Sequence, residues 1–210
     1  MTNPNDVFLS GSQEAIWQLM PATTSVNTWE GNVFIPSATV IPSYPVTTSL
    51  YNSIAATDQR RTAWLKGITV GTTTYYYPNK YKVRTGTSIT EYYMVLRLAE
   101  LYLIRAEARA NQNKLPEAIA DLNTVHKRAG LVEFPNTLSK TETLDNIEKE
   151  RRVELMLEWG HRWLDLKRTH RSDAVLGSLK SGWQATDTLY PIPAYEIQAN
   201  PSLSQNIGYQ

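Results

Sequence analysis

The densest group of charged residues lies in one stretch of the chain, ERRVELMLEWGHRWLDLKR, at residues 150–168. Two of its glutamates, Glu154 and Glu158, stand four residues apart, so they lack the separated, opposed placement that the two carboxyl groups of a glycosidase need. Opposite charges at helical spacing instead stabilise one another. We therefore predict a structural ion-pair network here rather than a catalytic pair. Its predicted members are Arg151, Glu154, Glu158, Arg162 and Asp165.

Other catalytic or metal chemistry has little support among the residue types. His161 has the chemistry of a general base, but no serine or cysteine nucleophile stands in an elbow motif. His126 and His170 do not complete an HExxH or similar metal-binding spacing. The sequence has no cysteine, and its ten glycines form no phosphate-binding or dinucleotide-binding motif. We expect no catalytic residue, no metal site and no cofactor.

Aromatic residues are the remaining candidates, since the chain has six Trp and twelve Tyr against three Phe. Trp and Tyr combine an apolar face with a polar group and suit hydrated binding surfaces. An exposed ring can stack on the C–H face of a sugar while neighbouring polar groups bind its hydroxyls. The alternative is that these rings cover the core. On this chemistry we name four candidate ligand-binding residues: Trp29, Tyr44, Tyr51 and Tyr76.

The overall composition is that of an ordinary globular protein with 210 residues, 41% hydrophobic and 20% charged. A chain of this length can bury a sizeable core. Its formal net charge of +1 lacks the basic imbalance of nucleic-acid-binding proteins, so we expect no nucleic-acid partner. No stretch approaches the ~20 apolar residues of a membrane span. The first twenty residues show no signal-peptide pattern.

The elements that must position these residues change in character near residue 88. We predict a single domain over 1–210, made of a loop-rich part at 1–87, a helical core at 88–177 and an irregular tail at 178–210. The first part is predicted to hold strands at 14–20 and 32–41, a short helix at 48–56 and an extended segment at 73–84.

The helical core begins with a helical hairpin. Ser88 and Glu91 form a capping-box pattern that predicts a helix from Glu91 to about Asn111. Pro116 suits the first turn of a second helix, and Gly130 its end. The second helix should bury one stripe, formed by Ala118, Leu122, Val125 and Ala129. The hairpin reads like one tetratricopeptide unit, which cannot bury its own faces and must pack on other chain.

Two further helices follow the hairpin. Ser139 and Glu142 form a second capping box, which predicts a helix over 143–158. Gly160 should break or bend it, and another helix is predicted over 161–170. The predicted core comprises Leu98, Leu101, Ile104, Leu122, Val125, Ile147, Met156, Trp163 and Leu166.

Several of these segments, in order, resemble the SusD/RagB family. EYYMVLRLAELYLIRAEARA (91–110) is similar to a family helix with an RLAE core, and LNTVHKRAGL (122–131) resembles the segment after it. IEKERRVELMLEWGHRWLDLKR (147–168) resembles the family's ERR and RW-x-DL signature, although Trp159 stands between Glu158 and Gly160 where the family has Glu-Gly. LYPIPAYEIQANPSLSQNIGY (189–209) resembles its C-terminal end. ATDQRRTAWL (56–65) and SQEAIWQL (12–19) match weaker upstream segments.

The resemblance implies a mainly α SusD-like fold, in which a tetratricopeptide-like scaffold carries a ligand-binding surface made of loops. It implies non-catalytic binding of an oligosaccharide or another nutrient. It also implies an outer-membrane lipoprotein at the cell surface that delivers its ligand to a TonB-dependent, SusC-like transporter. Family members are longer, so we expect this chain to be a C-terminal portion. Membrane contact is expected only through an anchor that this chain lacks.

Two other functions remain open from the sequence. One is a protein–protein docking module of the same transporter complex with no glycan binding of its own, and an exposed apolar patch of several hundred Å² would favour this alternative. An enzyme would need two facing carboxylates in a cleft, with perturbed acidity.

Overall fold

The computed structural model describes residues 3–22 and 25–209, which form two compact units. The first unit ends at Trp159 and the second starts at Gly160. The single domain over residues 1–210 stays a prediction.

The first unit combines two small antiparallel sheets with six helices among its described residues. Strand β1 (Ala15–Leu19) pairs with β4 (Tyr93–Arg97), and β2 (Leu65–Val70) pairs with β3 (Thr73–Pro78). The helices are α1 (Trp29–Phe34), α2 (Thr48–Ser53), α3 (Gln59–Trp64), α4 (Leu98–Asn111), α5 (Leu115–Arg128) and α6 (Lys140–Glu154). The fold is mainly helical with few short strands, as the sequence predicts.

Helices α4, α5 and α6 form an apolar core built from small residues. Ala99, Ala106, Ala110 and Ala118 are fully buried there beside Leu103, Leu122 and Val125. Alanine side chains at a helix contact let two backbones approach closely. Alanine also loses almost no side-chain entropy on burial, so the hairpin packs tightly at little entropic cost. The predicted hairpin and its buried stripe are confirmed. Gly130 follows α5 and adopts the left-handed conformation that ends the helix, with φ +78°.

The capping box of α6 is also confirmed. Ser139 Oγ accepts the N–H of Glu142, while the Glu142 carboxylate accepts the N–H of Ser139. The helix ends at Glu154, four residues before the predicted end at Glu158, and Leu157 and Trp159 then take positive φ values of 62° and 40°. Glu158 therefore reaches the core from a turn and not from the helix face.

The predicted helix from Glu91 is wrong over its first seven residues. Residues 93–97 form β4 because their backbone pairs with β1, some 75 residues earlier in the chain. The Glu91 carboxylate accepts the N–H groups of Lys82 and Val83, and so the predicted capping box with Ser88 does not form.

The predicted strand at 32–41 is also wrong. Thr28 caps α1 by accepting the N–H of Gly31, and the segment after Phe34 is irregular. A Cβ on Gly31 would lie 2.5 Å from the carbonyl oxygen of Val83, so only glycine lets α1 approach that backbone. The predicted elements at 14–20, 48–56 and 73–84 correspond to β1, α2 and β3.

Three predicted core residues on α4 are exposed. Leu98, Leu101 and Ile104 keep 37%, 50% and 47% of their surface accessible. Helix α4 contacts α5 and α6 through its other side, and a helix apolar on two sides can bury only the side that meets a neighbour. Leu122, Val125, Ile147, Met156 and Leu166 are buried as predicted, and Trp163 is half-buried.

The second unit has short helices and a long irregular tail. Its elements are α7 (His161–Arg168), α8 (Ser172–Leu176), a 3₁₀ turn (Ala185–Thr188) and α9 (Ala194–Ala199). Gly160 precedes α7 with φ +75°, so the predicted break is confirmed. The Gln205 side chain holds the tail by accepting the N–H of Ile192 and donating to its carbonyl oxygen.

Candidate functional site

The charged residues of the first unit converge on one fully buried carboxylate, that of Glu154 at the end of α6. Its Oε1 accepts hydrogen bonds from Arg97 Nη1 at 2.5 Å and from Arg128 Nη2, and its Oε2 accepts one from Arg60 Nη1 at 2.8 Å. Glu158 accepts two bonds from Arg97, at 2.8 and 2.9 Å, and one from Lys80. We call these six residues the polar core: Arg60, Lys80, Arg97, Arg128, Glu154 and Glu158.

The polar core keeps its carboxylates ionised in spite of burial. Burial opposes the charge of Glu154, but the guanidinium groups of Arg128, Arg97 and Arg60 outweigh it and hold the Glu154 pKa well below its usual value. Burial also opposes the charge of Glu158, but the cations Arg97 and Lys80 outweigh it, so the pKa of Glu158 is lowered as well. Each of these carboxylates is therefore a fixed anion and not a proton donor.

A second ring of ion pairs surrounds this centre. Asp58 caps α3 and binds Arg60 through both carboxylate oxygens, while Glu150 accepts from Arg60 at 2.5 Å. Glu14, next to β1, accepts from Arg128 at 3.0 Å and Arg97 at 3.3 Å. These pairs connect β1, α3, β4, α5 and α6, so their chemistry is that of a structural clamp.

The sequence located only part of this network. Of the five predicted members, Glu154 and Glu158 lie at its centre, and Arg151 is buried on α6. Asp165 lies in the second unit, where it accepts a bond from Arg168 at 2.8 Å, and Arg162 is in the same unit. A single network of all five residues stays a prediction. The partners that sequence analysis missed are Glu14, Asp58, Arg60, Lys80, Arg97, Arg128 and Glu150.

The structure brings together two of the four predicted aromatic residues. The rings of Tyr51 and Tyr76 stack at 4.0 Å between centroids, and the Arg61 guanidinium lies 4.0 Å from the Tyr51 centroid. Two groups so close to one centroid must occupy opposite faces, so Tyr51 has no free face for a ligand. Tyr76 pairs across the hairpin with Gly67, whose missing side chain leaves room for the tyrosine ring.

Trp29 and Tyr44 remain accessible and lie apart from that stack. Tyr44 has 58% of its surface exposed and packs edge-on against Phe34, with ring centroids 5.9 Å apart. Trp29 has 65% of its surface exposed. It lines a groove of about 350 Å³, the Trp29 groove, which is formed by Leu19, Met20, Pro21, Ala22, Val26, Trp29 and Tyr93.

Buried polar residues fix the backbone that carries Trp29. Asn27 is fully buried, and its Oδ1 accepts the N–H groups of Thr90 and Glu91 at 2.7 and 2.9 Å. The N–H of Trp29 donates to the Tyr93 hydroxyl oxygen at 3.0 Å, which leaves the O–H of Tyr93 able to donate to a ligand. The groove thus offers an apolar indole and one positioned hydroxyl to a ligand.

Metal and membrane features are absent from the part of the chain that the structure describes. No group of three or more potential ligand side chains is arranged to hold a metal ion among residues 3–22 and 25–209. Within the same residues, no helix combines the length and apolar character that crossing a bilayer requires.

A tetratricopeptide-like hairpin clamped to loops by a buried ionic core defines a scaffold class, and the family comparison identifies it. The model of the SusD family matches residues 23–209, so this chain belongs to the SusD family. The chain is also 33% identical, over 124 residues, to the starch-binding protein SusD of Bacteroides thetaiotaomicron. That match covers 55% of this chain and 21% of the relative.

Solved structures share the fold along nearly the whole chain. A SusD superfamily protein of Parabacteroides distasonis matches with a TM-score of 0.75 and 24% identity, over 100% of this chain and 53% of its own. Surface glycan-binding protein A of Bacteroides thetaiotaomicron, in complex with laminarihexaose, matches with a TM-score of 0.73 and 25% identity, over 98% and 55%. The chain thus spans about half the length of these two proteins.

Proposed function

We propose that this chain takes part in non-catalytic binding of an oligosaccharide at the bacterial cell surface. The observation that carries the proposal is Trp29, an indole 65% exposed at a groove of about 350 Å³ on a rigid backbone. Family membership supports the ligand class, since one relative is a starch-binding protein and another a surface glycan-binding protein. The proposed ligand residues are Trp29 first and Tyr44 second.

The absence of turnover is part of the proposal. Each carboxylate at the centre of the polar core accepts bonds from at least two cations, and all are at least 92% buried. A glycosidase needs one carboxyl group with a raised pKa that can protonate the leaving group at the sugar. Glu154 and Glu158 have lowered pKa values and no access to a sugar.

The proposed setting is the outer membrane, where the protein passes its ligand to a TonB-dependent, SusC-like transporter. The support is family membership and the surface location named for a relative of the same fold. Photo-crosslinking in a bacterium that carries the whole protein tests the partner. A crosslinker at Leu101 should capture an outer-membrane transporter, and one at exposed Lys66 should not. Capture from neither position, in cells that express the protein, contradicts the delivery step.

Calorimetry with a panel of oligosaccharides tests glycan binding. We expect Trp29→Ala to weaken binding at least tenfold, because the stacking face is lost. Trp17→Ala is the matched control, since Trp17 is also an exposed tryptophan, at 51%, but does not line the groove. Equal binding by both variants would remove Trp29 from the site. No binding of any saccharide by the folded wild type would contradict the function.

A docking role without glycan binding is the second candidate, and one observation favours it. Five exposed apolar residues lie on β1, β4 and the start of α4, which follows β4 directly, and Trp17 of β1 pairs with Leu96 of β4. This strand–helix surface consists of Trp17, Leu19, Leu96, Leu98 and Leu101. Together they expose roughly several hundred Å², the size of a functional patch on a protein surface. If no saccharide binds but Leu101 crosslinks the transporter, docking is the better function.

A further inference from the structure

The second unit contains an aromatic pocket that none of the predicted site residues lines. It has a volume of about 450 Å³ and is formed by Trp163, Lys180, Gly182, Trp183, Asp187 and Tyr190. Pockets that hold small ligands are commonly about 300–1,000 Å³ and combine apolar walls with a few polar groups. This aromatic pocket meets both conditions, and all of its lining residues belong to one compact unit.

The three rings stand at steep angles to each other. The Trp163 centroid lies 6.1 Å from that of Trp183 and 6.2 Å from that of Tyr190, with interplanar angles of 76° and 74°. In an edge-to-face pair the edge of one ring covers at most one face of the other. In the Tyr51–Tyr76 pair, by contrast, the rings are stacked and one ring covers a face of the other. The ammonium group of Lys167 also lies beside two of the pocket's rings, 5.4 Å from the Trp163 and Tyr190 centroids.

Hydrogen bonds hold the pocket's walls in place. The Trp183 indole Nε1–H donates to Asp173 Oδ1 at 2.9 Å, which fixes the plane of that ring. The carbonyl oxygen of Tyr190 accepts from Asn206 Nδ2 at 2.7 Å, and the Tyr209 hydroxyl donates to Leu189 at 2.8 Å. The first bond fixes the ring of Trp183, and the other two fix the backbone at Leu189 and Tyr190, which reduces the entropy lost on binding.

Polar groups of both kinds face the same pocket. Asp187 accepts the N–H of Gln184 through Oδ2 at 2.9 Å, and its second carboxylate oxygen has acceptor capacity to spare. The ammonium group of Lys180 lies 5.9 Å from the Trp183 centroid and can donate. One acceptor and one donor beside aromatic faces suit the hydroxyl groups and C–H face of a sugar. The hydroxyl groups of a neutral hexose can both donate to Asp187 and accept from Lys180.

We propose that the aromatic pocket is a second saccharide subsite, which takes one neutral hexose ring through Trp163, Trp183, Asp187 and Lys180. The inference rests on the proposed function for the class of ligand, but it uses different residues in a different unit. The first subsite would lie at the Trp29 groove.

The experiment follows the indole N–H signals of the six tryptophans by ¹H–¹⁵N NMR during titration of the full chain with laminarihexaose and maltohexaose. Single Trp→Phe variants assign the signals. We expect the Trp163 and Trp183 signals to shift with saccharide, in addition to Trp29. The buried indole of Trp64, at 0% exposure, is the internal control and should not move.

The outcomes separate the two proposals. Shifts at Trp29 without shifts at Trp163 and Trp183 overturn the second subsite and leave the proposed function standing. Shifts at Trp163 and Trp183 without Trp29 support the pocket and remove the Trp29 groove. No shift with either hexasaccharide overturns both saccharide subsites.

Gly182→Leu provides a blocking variant that leaves the aromatic wall intact. A Cβ at Gly182 would have no other heavy atom within 4 Å, so a side chain has room at this edge of the pocket. We expect Gly182→Leu to weaken the saccharide-dependent shifts of Trp163 and Trp183 about tenfold, as judged by the midpoint concentration. Gly86→Leu is the matched control in the first unit, because Gly86 also lacks a positive φ and a Cβ there would come no closer than 3.5 Å to another heavy atom. Unchanged shifts in Gly182→Leu would contradict the pocket as the binding place.

Discussion

The first unit contains the polar core and also the apolar core between α4, α5 and α6, which we call the hairpin core. Different forces hold the two cores together. The polar core and the ion pairs around it include eight charged residues that are at least 92% buried. The hairpin core is made of alanine, leucine, valine and isoleucine. Apolar packing degrades gradually when atoms are removed. A buried ionic network fails abruptly, because removal of one partner leaves the others charged and dry. The comparison predicts which substitutions each region tolerates.

The largest loss of stability is expected for Glu154→Gln. This change leaves Arg60, Arg97 and Arg128 facing a neutral amide in a site with 0% exposure. The cost of breaking a buried pair is about 3–5 kcal/mol of unfolding free energy, to be measured by urea denaturation. Glu117→Gln, at an exposed glutamate of α5, is the control and should change stability by less than about 0.5 kcal/mol. Equal stability of the two variants would refute the role of the polar core.

Leu103→Ala should produce the next largest effect, because it opens a cavity in the hairpin core. Leu103 is fully buried among alanines that cannot move to fill the space. Such truncations cost about 2–5 kcal/mol, and we expect about 3 kcal/mol here. Leu101→Ala, on the exposed side of the same helix, should cost less than about 1 kcal/mol. Similar losses at the two positions would mean that the exposed side of α4 is covered in solution.

Acid should separate the two cores. The pKa of Glu158 is lower in the folded protein than its ordinary value of 4.5, so the unfolded chain takes up the proton first as the pH falls. The stability that this carboxylate contributes is therefore complete above pH 4.5 and is lost below it. The difference in unfolding free energy between wild type and Glu158→Gln should shrink as the pH falls below 4.5.

The corresponding difference for Leu103→Ala should not depend on pH, which makes it the control. Glu14 acts in the opposite direction in the wild type, since burial raises its pKa against Arg128 and Arg97. Taking the difference between wild type and Glu158→Gln at each pH isolates Glu158 from this background. A difference that stays constant to low pH would contradict the lowered pKa.

Arg105→Gln should have the smallest effect of the four changes. Arg105 binds Asp121 through two hydrogen bonds, of 2.8 and 2.7 Å, but its side chain is 54% exposed. Solvent screens such a pair, and Arg109 also donates to Asp121 at 2.6 Å, so the carboxylate keeps a partner when Arg105 is replaced. The midpoint of urea denaturation should barely move. A loss comparable to that of Glu154→Gln would mean that ion pairs stabilise both cores alike.

Local signals in the sequence predicted the hairpin core well. The stripe from Ala118 to Ala129, the Ser139–Glu142 capping box and the breaks at Gly130 and Gly160 depend on neighbours within a few residues. For the segment 93–97, the Ser88–Glu91 capping-box pattern and the apolar residues after it predict a helix. Its strand pairing with β1 is a long-range contact that local periodicity cannot reveal.

The candidate site was predicted less completely, for the same reason. Glu154 and Glu158 were found because they share one charged stretch, whereas Arg60, Arg97 and Arg128 come from distant segments. The sequence holds two signals for these arginines. Arg97 is a charged residue inside an apolar run, and Arg60 stands two residues after Asp58, the N-cap of α3. Composition singled out the aromatic residues but could not separate Trp29, which is exposed, from Tyr51, which is stacked between Tyr76 and Arg61.

The connectivity of the polar core also sets an order of events during folding. Glu14 and Arg128 are separated by 114 residues, and Arg60 and Glu154 by 94, so these pairs close long loops of chain. The α4–α5 hairpin closes a turn of a few residues and can form early. A ribosome releases Glu14 long before its partner Arg128, and Arg60 long before its partner Glu154. These charges must therefore stay hydrated until their partners emerge, and the first unit can lock only after α6 has emerged.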